Sequence, residues 1–284
     1  MSNPRKVLVV TDSGSDMPLA LRNRYGIVVV PLSITFGNES FLDGVDITPE
    51  EFMRRLRSAQ ELPKTSQPAS AQFAEVFRDA IDRGMDVVCV NISSGLSGTF
   101  NSARIAAEEF DASRVRVVDS RAATMQFGWI VIEAARAAQA GGDIDAVEAA
   151  AKSAIGRANC FAVLQTLDYV YKGGRIGRAS HMVGSALGIK PILNFIDGLL
   201  TPVERVRTWK KALARATELA ANAGNVTDVA VLHADNRADA EATAEKLQAI
   251  FPDANIIVDW VGPTIGTYAG PGAIGILTLS AEGR

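Results

Sequence analysis

The segment KVLVVTDSGSDMP, residues 6–18, contains the pattern from which the fold is predicted. Its valine-rich run, residues 6–11, is typical of a strand covered on both faces, and a polar turn follows at once. Similar apolar runs occur at residues 27–34, 86–92 and 114–119. Helical periods separate the runs, around residues 48–56, 73–81, 101–110 and 122–140. This alternation predicts βαβ units and a mostly parallel sheet.

The second half of the chain has a different pattern. Asp197-Gly198, between apolar runs at residues 192–196 and 199–206, is a strong hairpin signal. Helices are predicted at residues 145–157, 209–223 and 237–251, and further strands at 161–165, 228–233, 255–260 and 274–279. A hairpin combined with βαβ units indicates a mixed sheet in an α+β domain. We therefore expect two domains, an α/β domain over residues 1–155 and an α+β domain with a mixed sheet over residues 156–284.

The composition excludes several classes of protein. The 284 residues are 48% hydrophobic and 21% charged, which is typical of a globular protein. The net charge of −3 leaves no overall positive field for nucleic acid. The opening residues MSNPRK lead into an apolar run too short for a signal sequence. Residues 260–281 are uncharged, but their glycines and prolines would break a spanning helix, so we expect a loop followed by a strand and no stable membrane insertion.

The two cysteines give an indication of the compartment. Cys89 and Cys160 both lie inside apolar, strand-like runs, and no CxxC pair is present. This usage is typical of reduced thiols in a core rather than of a disulfide or a metal site. We therefore expect a protein of the reducing cytoplasm.

Three polar turns follow predicted strands, at residues 11–16, 93–99 and 119–121. The carboxyl ends of parallel strands meet at one edge of a sheet, where open α/β folds bind their ligands. The cluster KTSQP, residues 64–68, adds further hydroxyl groups. Each turn alone is explained by helix capping, but together they indicate one binding site. The turn at 93–99 is the best candidate because its hydroxyls and free N–H groups precede a helix, where anions bind.

The residue types in these turns limit the choice of anion. The phosphate-binding motif GxxxxGKS is absent, and no lysine lies inside the turns at 11–16 and 93–99, so a triphosphate would lack counter-charge. A carboxylate is better matched to neutral hydroxyl and amide donors. Asp12 and Asp16 are interpreted as caps of the following turn rather than as metal ligands, and we expect no metal or cofactor.

Two glycine-rich segments in the second half are further candidates for parts of a binding site. In KGGRIGR, residues 172–178, paired glycines allow a tight turn that aims the guanidinium of Arg175 at a neighbour, although a solvated helix-entry turn is an equal reading. The segment GPTIGTYAGPG, residues 262–272, is rich in glycine and proline, which predicts a rigid segment that approaches its neighbours closely. Tyr268 is its only phenol.

A serine hydrolase is the alternative function. GLSGT, residues 95–99, approaches the nucleophile motif GxSxG but ends in Thr99. Its base would be His181 or His233, paired with Ser97. A third possibility is an interaction module that uses residues 204–215, where five basic residues stand against one acidic residue and a solvated face is the simpler explanation.

Nine ordered blocks carry a resemblance to a known family. They are VTDSGSDMP, DGVDITPEEF, KTSQPASAQF, ISSGLSGTFNSA, VVDSRAATM, KGGRIGRAS, LGIKPIL, VERVRTWKKAL and GPTIGTYAGPGAIG. In order and spacing they resemble the DegV family of bacterial fatty-acid-binding proteins over roughly residues 7–279. The resemblance implies a Rossmann-like first domain, a second α/β domain for the lipid tail, and a buried tunnel for one long-chain fatty acid. It also implies a non-catalytic carrier that presents the carboxylate to the separate catalytic subunit of a fatty acid kinase.

The resemblance assigns roles to individual residues. Thr65 and Ser97 match the family's carboxylate ligands, and Arg175 matches the arginine close to the head group. Arg205 and Arg207 fall in the segment similar to the one that contacts the kinase. The residues expected to bind the carboxylate are Thr65, Ser94, Ser97, Gly98, Thr99, Arg175 and Tyr268. The chain departs from the usual GTHTGPG because Tyr268 replaces the histidine, which puts the efficiency of phosphate transfer in question.

Overall fold

The computed structural model describes residues 5–182 and 188–282. The first half contains a parallel sheet with the strand order β2-β1-β6-β7. Its strands are β1 (Val7–Asp12), β2 (Val28–Val30), β6 (Asp86–Asn91) and β7 (Val115–Asp119). The expected parallel sheet is therefore confirmed. Part of the glycine-rich segment at 172–188 and of the block LGIKPIL lies outside the described residues.

A second, three-stranded sheet was not expected from the sequence. It has the order β4-β3-β5 and consists of β3 (Ser33–Phe36), β4 (Glu39–Leu42) and β5 (Lys64–Ser66). The prediction of one strand over residues 27–34 was wrong, because the chain leaves the parallel sheet after Val30 and enters this sheet at Ser33. Pro31 stands at the break and has no N–H for a strand ladder.

The second half forms a six-stranded mixed sheet with the order β10-β9-β8-β13-β11-β12. Its strands are β8 (Ala158–Val163), β9 (Lys190–Ile196), β10 (Leu199–Val206), β11 (Val226–His233), β12 (Asn255–Trp260) and β13 (Ile274–Ser280). The predicted hairpin is confirmed, since Asp197 and Gly198 both have positive φ and join antiparallel β9 and β10. The mixed sheet is also confirmed, whereas the domain boundary at 155/156 stays a prediction.

The helices cover the sheets in layers. They are α1 (Leu19–Tyr25), α2 (Pro49–Ser58), α3 (Ser70–Asp82), α4 (Thr99–Ala107), α5 (Thr124–Gln139), α6 (Ile144–Ile155), α7 (Asp168–Lys172), α8 (Trp209–Ala221), α9 (Arg237–Ile250) and α10 (Pro263–Ala269). Helices α3 and α4 pack on one face of the parallel sheet, and α8 and α9 pack on the outer face of the mixed sheet. Within the described ranges, no helix is long and apolar enough to cross a bilayer.

Helix α5 joins the two large sheets. It is apolar on nearly all sides, and such helices are stable only when buried. Trp129 at its centre is fully buried, and its indole N–H donates to the carbonyl oxygen of Leu277 on β13 at 3.1 Å. The parallel sheet and the mixed sheet therefore share one core through α5, and the cavity described below lies near the start of this helix.

The prediction of a loop over residues 260–273 was wrong in part, because α10 occupies its middle. Pro263 stands in the first turn of this helix, where its missing N–H costs nothing, and Gly270 ends it with a φ of 71°. The high density of glycine and proline masked these start and stop signals. The strand predicted after the loop is confirmed as β13.

Candidate functional site

The polar turns meet at the edge of the parallel sheet. The carboxylate of Asp12 accepts hydrogen bonds from the backbone N–H of Gly14 at 3.0 Å, the backbone N–H of Ile92 at 2.9 Å and the side-chain amide of Asn91 at 3.1 Å. These bonds hold the turn after β1 against the turn after β6. Burial raises the pKa of Asp12 to about 6, although the three hydrogen bonds favour its ionised form. Asp12 is thus a capping residue, as the sequence indicates.

Asp16 has a different role from the cap expected of it. Its carboxylate accepts from the hydroxyl of Thr124 at 2.7 Å and from the backbone N–H of Gly262 at 3.2 Å. It therefore connects the start of α5 to the start of α10. Burial raises its pKa, and the neighbouring carboxylate of Asp43 adds to this effect. In the parts of the chain that the structure describes, no group of three or more His, Cys, Asp or Glu side chains could hold a metal ion.

A cavity of about 360 Å³ lies between these turns and the inner face of the mixed sheet. This volume falls within the range of small-molecule sites. Its apolar wall includes Leu32, Ile92, Leu96, Ala123, Ala162, Leu164, Val170, Leu193, Phe195, Leu200, Leu232, Val261, Ile265, Ala269, Ala273 and Ile274. Leu193 and Leu232 are fully buried. Such a wall is suited to an apolar ligand.

Cys160 also lines this cavity. Its thiol is fully buried, and burial raises its pKa to about 12. Burial also raises the pKa of Cys89, which lies in the core of the parallel sheet away from the cavity lining. Both thiols are free, as expected.

Four of the predicted site residues come together at one end of the cavity. They are Thr65 on β5, Ser97 in the turn before α4, Arg175 after α7 and Tyr268 on α10. The hydroxyl of Thr65 lies 2.5 Å from that of Tyr268. The guanidinium of Arg175 lies over the ring of Tyr268, 5.4 Å from its centre. This end is partly open to solvent, since Arg175 is exposed and Thr65, Ser97 and Tyr268 are half-buried.

Arg175 is held in place by the backbone around it. Its guanidinium donates to the carbonyl oxygens of Leu96 at 3.2 Å and Gly173 at 2.9 Å. A Cβ atom on Gly173 would lie 2.5 Å from the ring of Tyr268, so glycine is required for this close approach. Arg175 is therefore exposed but anchored to the turn that contains Ser97, and its role as a site residue stays a prediction.

Ser94, Gly98 and Thr99 lie outside the cavity lining. The hydroxyl of Ser94 donates to Asp119 at 2.5 Å, and Thr99 is buried with its hydroxyl 2.9 Å from that of Ser97. A Cβ atom on Gly98 would lie 2.1 Å from the amide oxygen of Gln67, so Gly98 makes room for Gln67. These three residues support the turn, and their expected contact with a carboxylate stays a prediction.

Ser66 and Gln67 line the polar end although neither was a predicted ligand. The amide N–H of Gln67 donates to the hydroxyl of Ser102 at 3.0 Å. The signal was present in the cluster at residues 64–68, but nothing in the sequence shows which side chain of an exposed strand end turns toward the cavity.

Neither histidine pairs with Ser97 among the described residues. The ring of His181 is exposed, with Nδ1 2.8 Å from the carbonyl oxygen of Arg178. His233 is fully buried against Trp260, with ring centres 4.5 Å apart, and burial lowers its pKa. Both histidines lie outside the cavity lining. The geometry therefore gives the serine hydrolase no base at Ser97.

One of the five cations in the basic segment at residues 204–215 is paired with acidic neighbours. Arg215 forms ion pairs with Glu204 at 2.7 Å and Glu218 at 2.8 Å. The remaining cations of the segment, Arg205, Arg207, Lys210 and Lys211, are exposed at the β10 edge of the mixed sheet and at the start of α8. A cationic surface with two arginines therefore remains on the outside of the molecule.

Comparison with known proteins agrees with this architecture. A family model described as "Uncharacterised protein, DegV family" matches residues 6–281. The DegV domain-containing protein SCO2569 of Streptomyces coelicolor is 39% identical over 281 residues, which cover 97% of this chain and 99% of the relative. The chain belongs to the DegV family.

Solved DegV structures have the same fold. A DegV family protein from Thermus thermophilus, described by its fatty acid binding, has a TM-score of 0.90 and 32% identity, covering 97% of this chain and 100% of its own. DegV from Bacillus subtilis, described as a fatty acid binding protein, has a TM-score of 0.87 and 29% identity, with coverage of 97% and 100%. The cavity of this DegV protein is thus found in a fold whose relatives bind fatty acids.

Proposed function

We propose that this DegV protein binds one long-chain fatty acid, with the acyl chain in the cavity and the carboxylate at its polar end. The observation that carries the proposal is the polarity of the cavity, whose apolar wall leads to an end formed by Thr65, Ser97, Tyr268 and Arg175. The descriptions of the Thermus and Bacillus relatives as fatty-acid-binding support it.

The physical chemistry of both ends is consistent with this ligand. Each buried methylene contributes about 0.8 kcal/mol, so a tail of ~14 methylenes contributes roughly 11 kcal/mol before ordering costs. The carboxylate needs donors, because an unpaired buried charge is costly. When Tyr268 donates its hydroxyl hydrogen to Thr65, the hydroxyl hydrogen of Thr65 is free for the ligand. The guanidinium of Arg175 supplies a positive charge beside them.

We further propose that the protein is a carrier without catalysis of its own, which offers the carboxylate to the catalytic subunit of an ATP-dependent fatty acid kinase for acyl-phosphate formation. The partial exposure of the polar end supports this role, because the carboxylate would remain within reach of a partner. Arg205 and Arg207 are the proposed docking residues. The free thiols of Cys89 and Cys160 support a place in the cytoplasm.

Lipid extraction tests the binding proposal. Protein purified from a bacterial host is extracted with organic solvent, and fatty acids are quantified by mass spectrometry against protein concentration. We expect roughly one long-chain fatty acid per chain. Protein that contains no lipid and takes up none from a defined fatty acid solution contradicts the proposal.

A double variant tests the docking proposal. Arg205→Ala combined with Arg207→Ala should lower acyl-phosphate formation with the kinase subunit of the same genome and leave fatty acid binding unchanged. Lys246→Ala, which removes an exposed cation from α9, is the control. Unaltered acyl-phosphate formation by the double variant contradicts docking at this surface.

A further inference from the structure

One row of residues crosses the inner face of the mixed sheet beneath the cavity. Strand register pairs Leu232 on β11 with Gly275 on β13, Gly275 with Ala162 on β8, and Ala162 with Leu193 on β9. All four residues line the cavity. The row therefore has large side chains at its two ends, where the leucines lie, and only a hydrogen atom or a methyl group at Gly275 and Ala162. This difference leaves a trough over β13 and β8 that follows the strand direction.

Gly275 has no backbone reason to be glycine. It lies inside β13, and its φ is outside the positive region that favours glycine. A Cβ atom there would meet only the methyl groups of Leu277, at 3.3 and 3.9 Å. Glycine weakens the interior of a strand, so the missing side chain has a cost without a local benefit. Its effect is to leave space in the cavity.

The next row of the same face closes the trough. Register pairs Cys160 on β8 with Leu277 on β13, and both side chains are fully buried. The indole of Trp129 donates to the carbonyl oxygen of Leu277 and so fixes the strand behind this row. In the other direction, beyond the end of β8, Leu164 and the α7 residue Val170 line the cavity, and Arg175 follows α7. The trough thus runs from the polar end to Cys160, which lines the cavity, and Leu277 stands beside Cys160 in register.

We propose that Gly275 determines the length of the acyl chain that the cavity accepts. The proposal rests on fatty acid binding as the function. Without a side chain at position 275, the terminal methylenes of a long chain reach the row of Cys160, the last residue of the trough that lines the cavity. A branched side chain at 275 fills the trough one row earlier and leaves space only for shorter chains.

Affinity measured against chain length tests this proposal. Delipidated protein is titrated with saturated fatty acids of twelve, fourteen, sixteen and eighteen carbons. In Gly275→Val, each methylene that is kept out of the cavity should weaken binding about fourfold. We expect a loss of roughly tenfold or more for the eighteen-carbon acid when two methylenes are displaced, and a change within about twofold for the twelve-carbon acid, which does not reach the trough wall. Gly275→Ala should shift the preference in the same direction by less.

Thr278→Val is the matched control, because it places valine on the same strand with its side chain on the other face. The hydroxyl of Thr278 is buried, and among the described residues it has no hydrogen-bond partner. The control should keep the chain-length preference of the unaltered protein. Equal losses for all chain lengths in a folded Gly275 variant, or no change in preference, overturn the proposal. If valine prevents folding, Gly275→Ala decides the question. Failure of the unaltered protein to bind any of the acids refutes fatty acid binding itself.

Discussion

The two ends of the cavity are constructed differently. At the polar end, Thr65 and Ser97 lie on a short edge strand and in a turn, and they are half-buried. At the apolar end, Leu193 and Leu232 lie on inner strands of the mixed sheet and are fully buried. The position of the polar groups depends on hydrogen bonds between loops, whereas the shape of the apolar end depends on strand register. Substitutions should therefore affect the two ends independently.

The largest effect is expected at Asp12, which holds the turns of the polar end together. Asp12→Ala leaves three buried N–H donors without their acceptor, and we expect a loss of about 3 kcal/mol or more in the free energy of unfolding. Denaturant unfolding measures it, with Asp82→Ala on the exposed face of α3 as the control. A loss below about 1 kcal/mol would show that the turns hold without this carboxylate.

Because the pKa of Asp12 is raised, the Asp12→Ala variant should also differ from the unaltered protein in how its stability depends on pH. A carboxyl with a pKa of about 6 in the folded protein and 3.8 as its ordinary value binds more protons when folded between these values. Its contribution to stability is therefore greatest below pH 3.8 and is lost as the pH rises to about 6. This slope should be present in the unaltered protein and smaller in Asp12→Ala.

Loss of a hydroxyl at the polar end should weaken binding without altering chain-length preference. Thr65→Ala and Ser97→Ala each remove one hydrogen bond to a charged group, which predicts a loss of about tenfold or more in affinity for a fatty acid. Ser113→Ala, which removes an exposed hydroxyl outside the cavity lining, should retain the lipid. A change in chain-length preference at Thr65 or Ser97 would mean that the two ends are coupled.

Arg175→Ala should separate binding from phosphorylation. Arg175 is exposed beside the polar end, so its loss should change fatty acid affinity by a few-fold and reduce acyl-phosphate formation by about tenfold or more. Lys172→Ala removes a neighbouring exposed charge and serves as the control. Equal reductions of binding and phosphorylation would refute this division of roles.

The smallest effect is expected at Tyr268. A phenol carries no positive charge at any pH, whereas an imidazole is protonated below about pH 6.5. Fatty acid affinity of Tyr268→His should therefore rise by a few-fold as the pH falls through this value. Tyr268→Phe, which keeps the ring beneath Arg175, should show no such rise. Isothermal titration at pH 5.5 and 8 measures both, and identical profiles would contradict a contact between residue 268 and the carboxylate.

The sequence predicts the large sheets well because their signals are local. Valine-rich runs define β1 and β6, and Asp197-Gly198 defines the hairpin. The strands β4 and β5 carry no such signal, since they are short, mostly polar and exposed. Strand β4 follows β3 after the two-residue turn Gly37-Asn38, whereas β5 pairs with the other edge of β3 from beyond α2.

The candidate site divides in a similar way. Thr65, Ser97, Arg175 and Tyr268 belong to motifs that can be recognised in sequence. Their convergence, such as the contact between Thr65 and Tyr268 across 203 residues, depends on the packing of α10 against the first half of the chain. Gly275 gives no signal of its own, because its meaning depends on which residues stand beside it in neighbouring strands.

The thiol of Cys160 lines the cavity, and its burial limits its reactivity. Burial raises the pKa of this thiol far above neutral pH, and only the thiolate attacks electrophiles at an appreciable rate. Oxidised acyl chains that carry reactive aldehyde or enone groups would thus meet a sulfur atom that does not trap them. Burial therefore keeps this part of the cavity wall unreactive toward electrophiles.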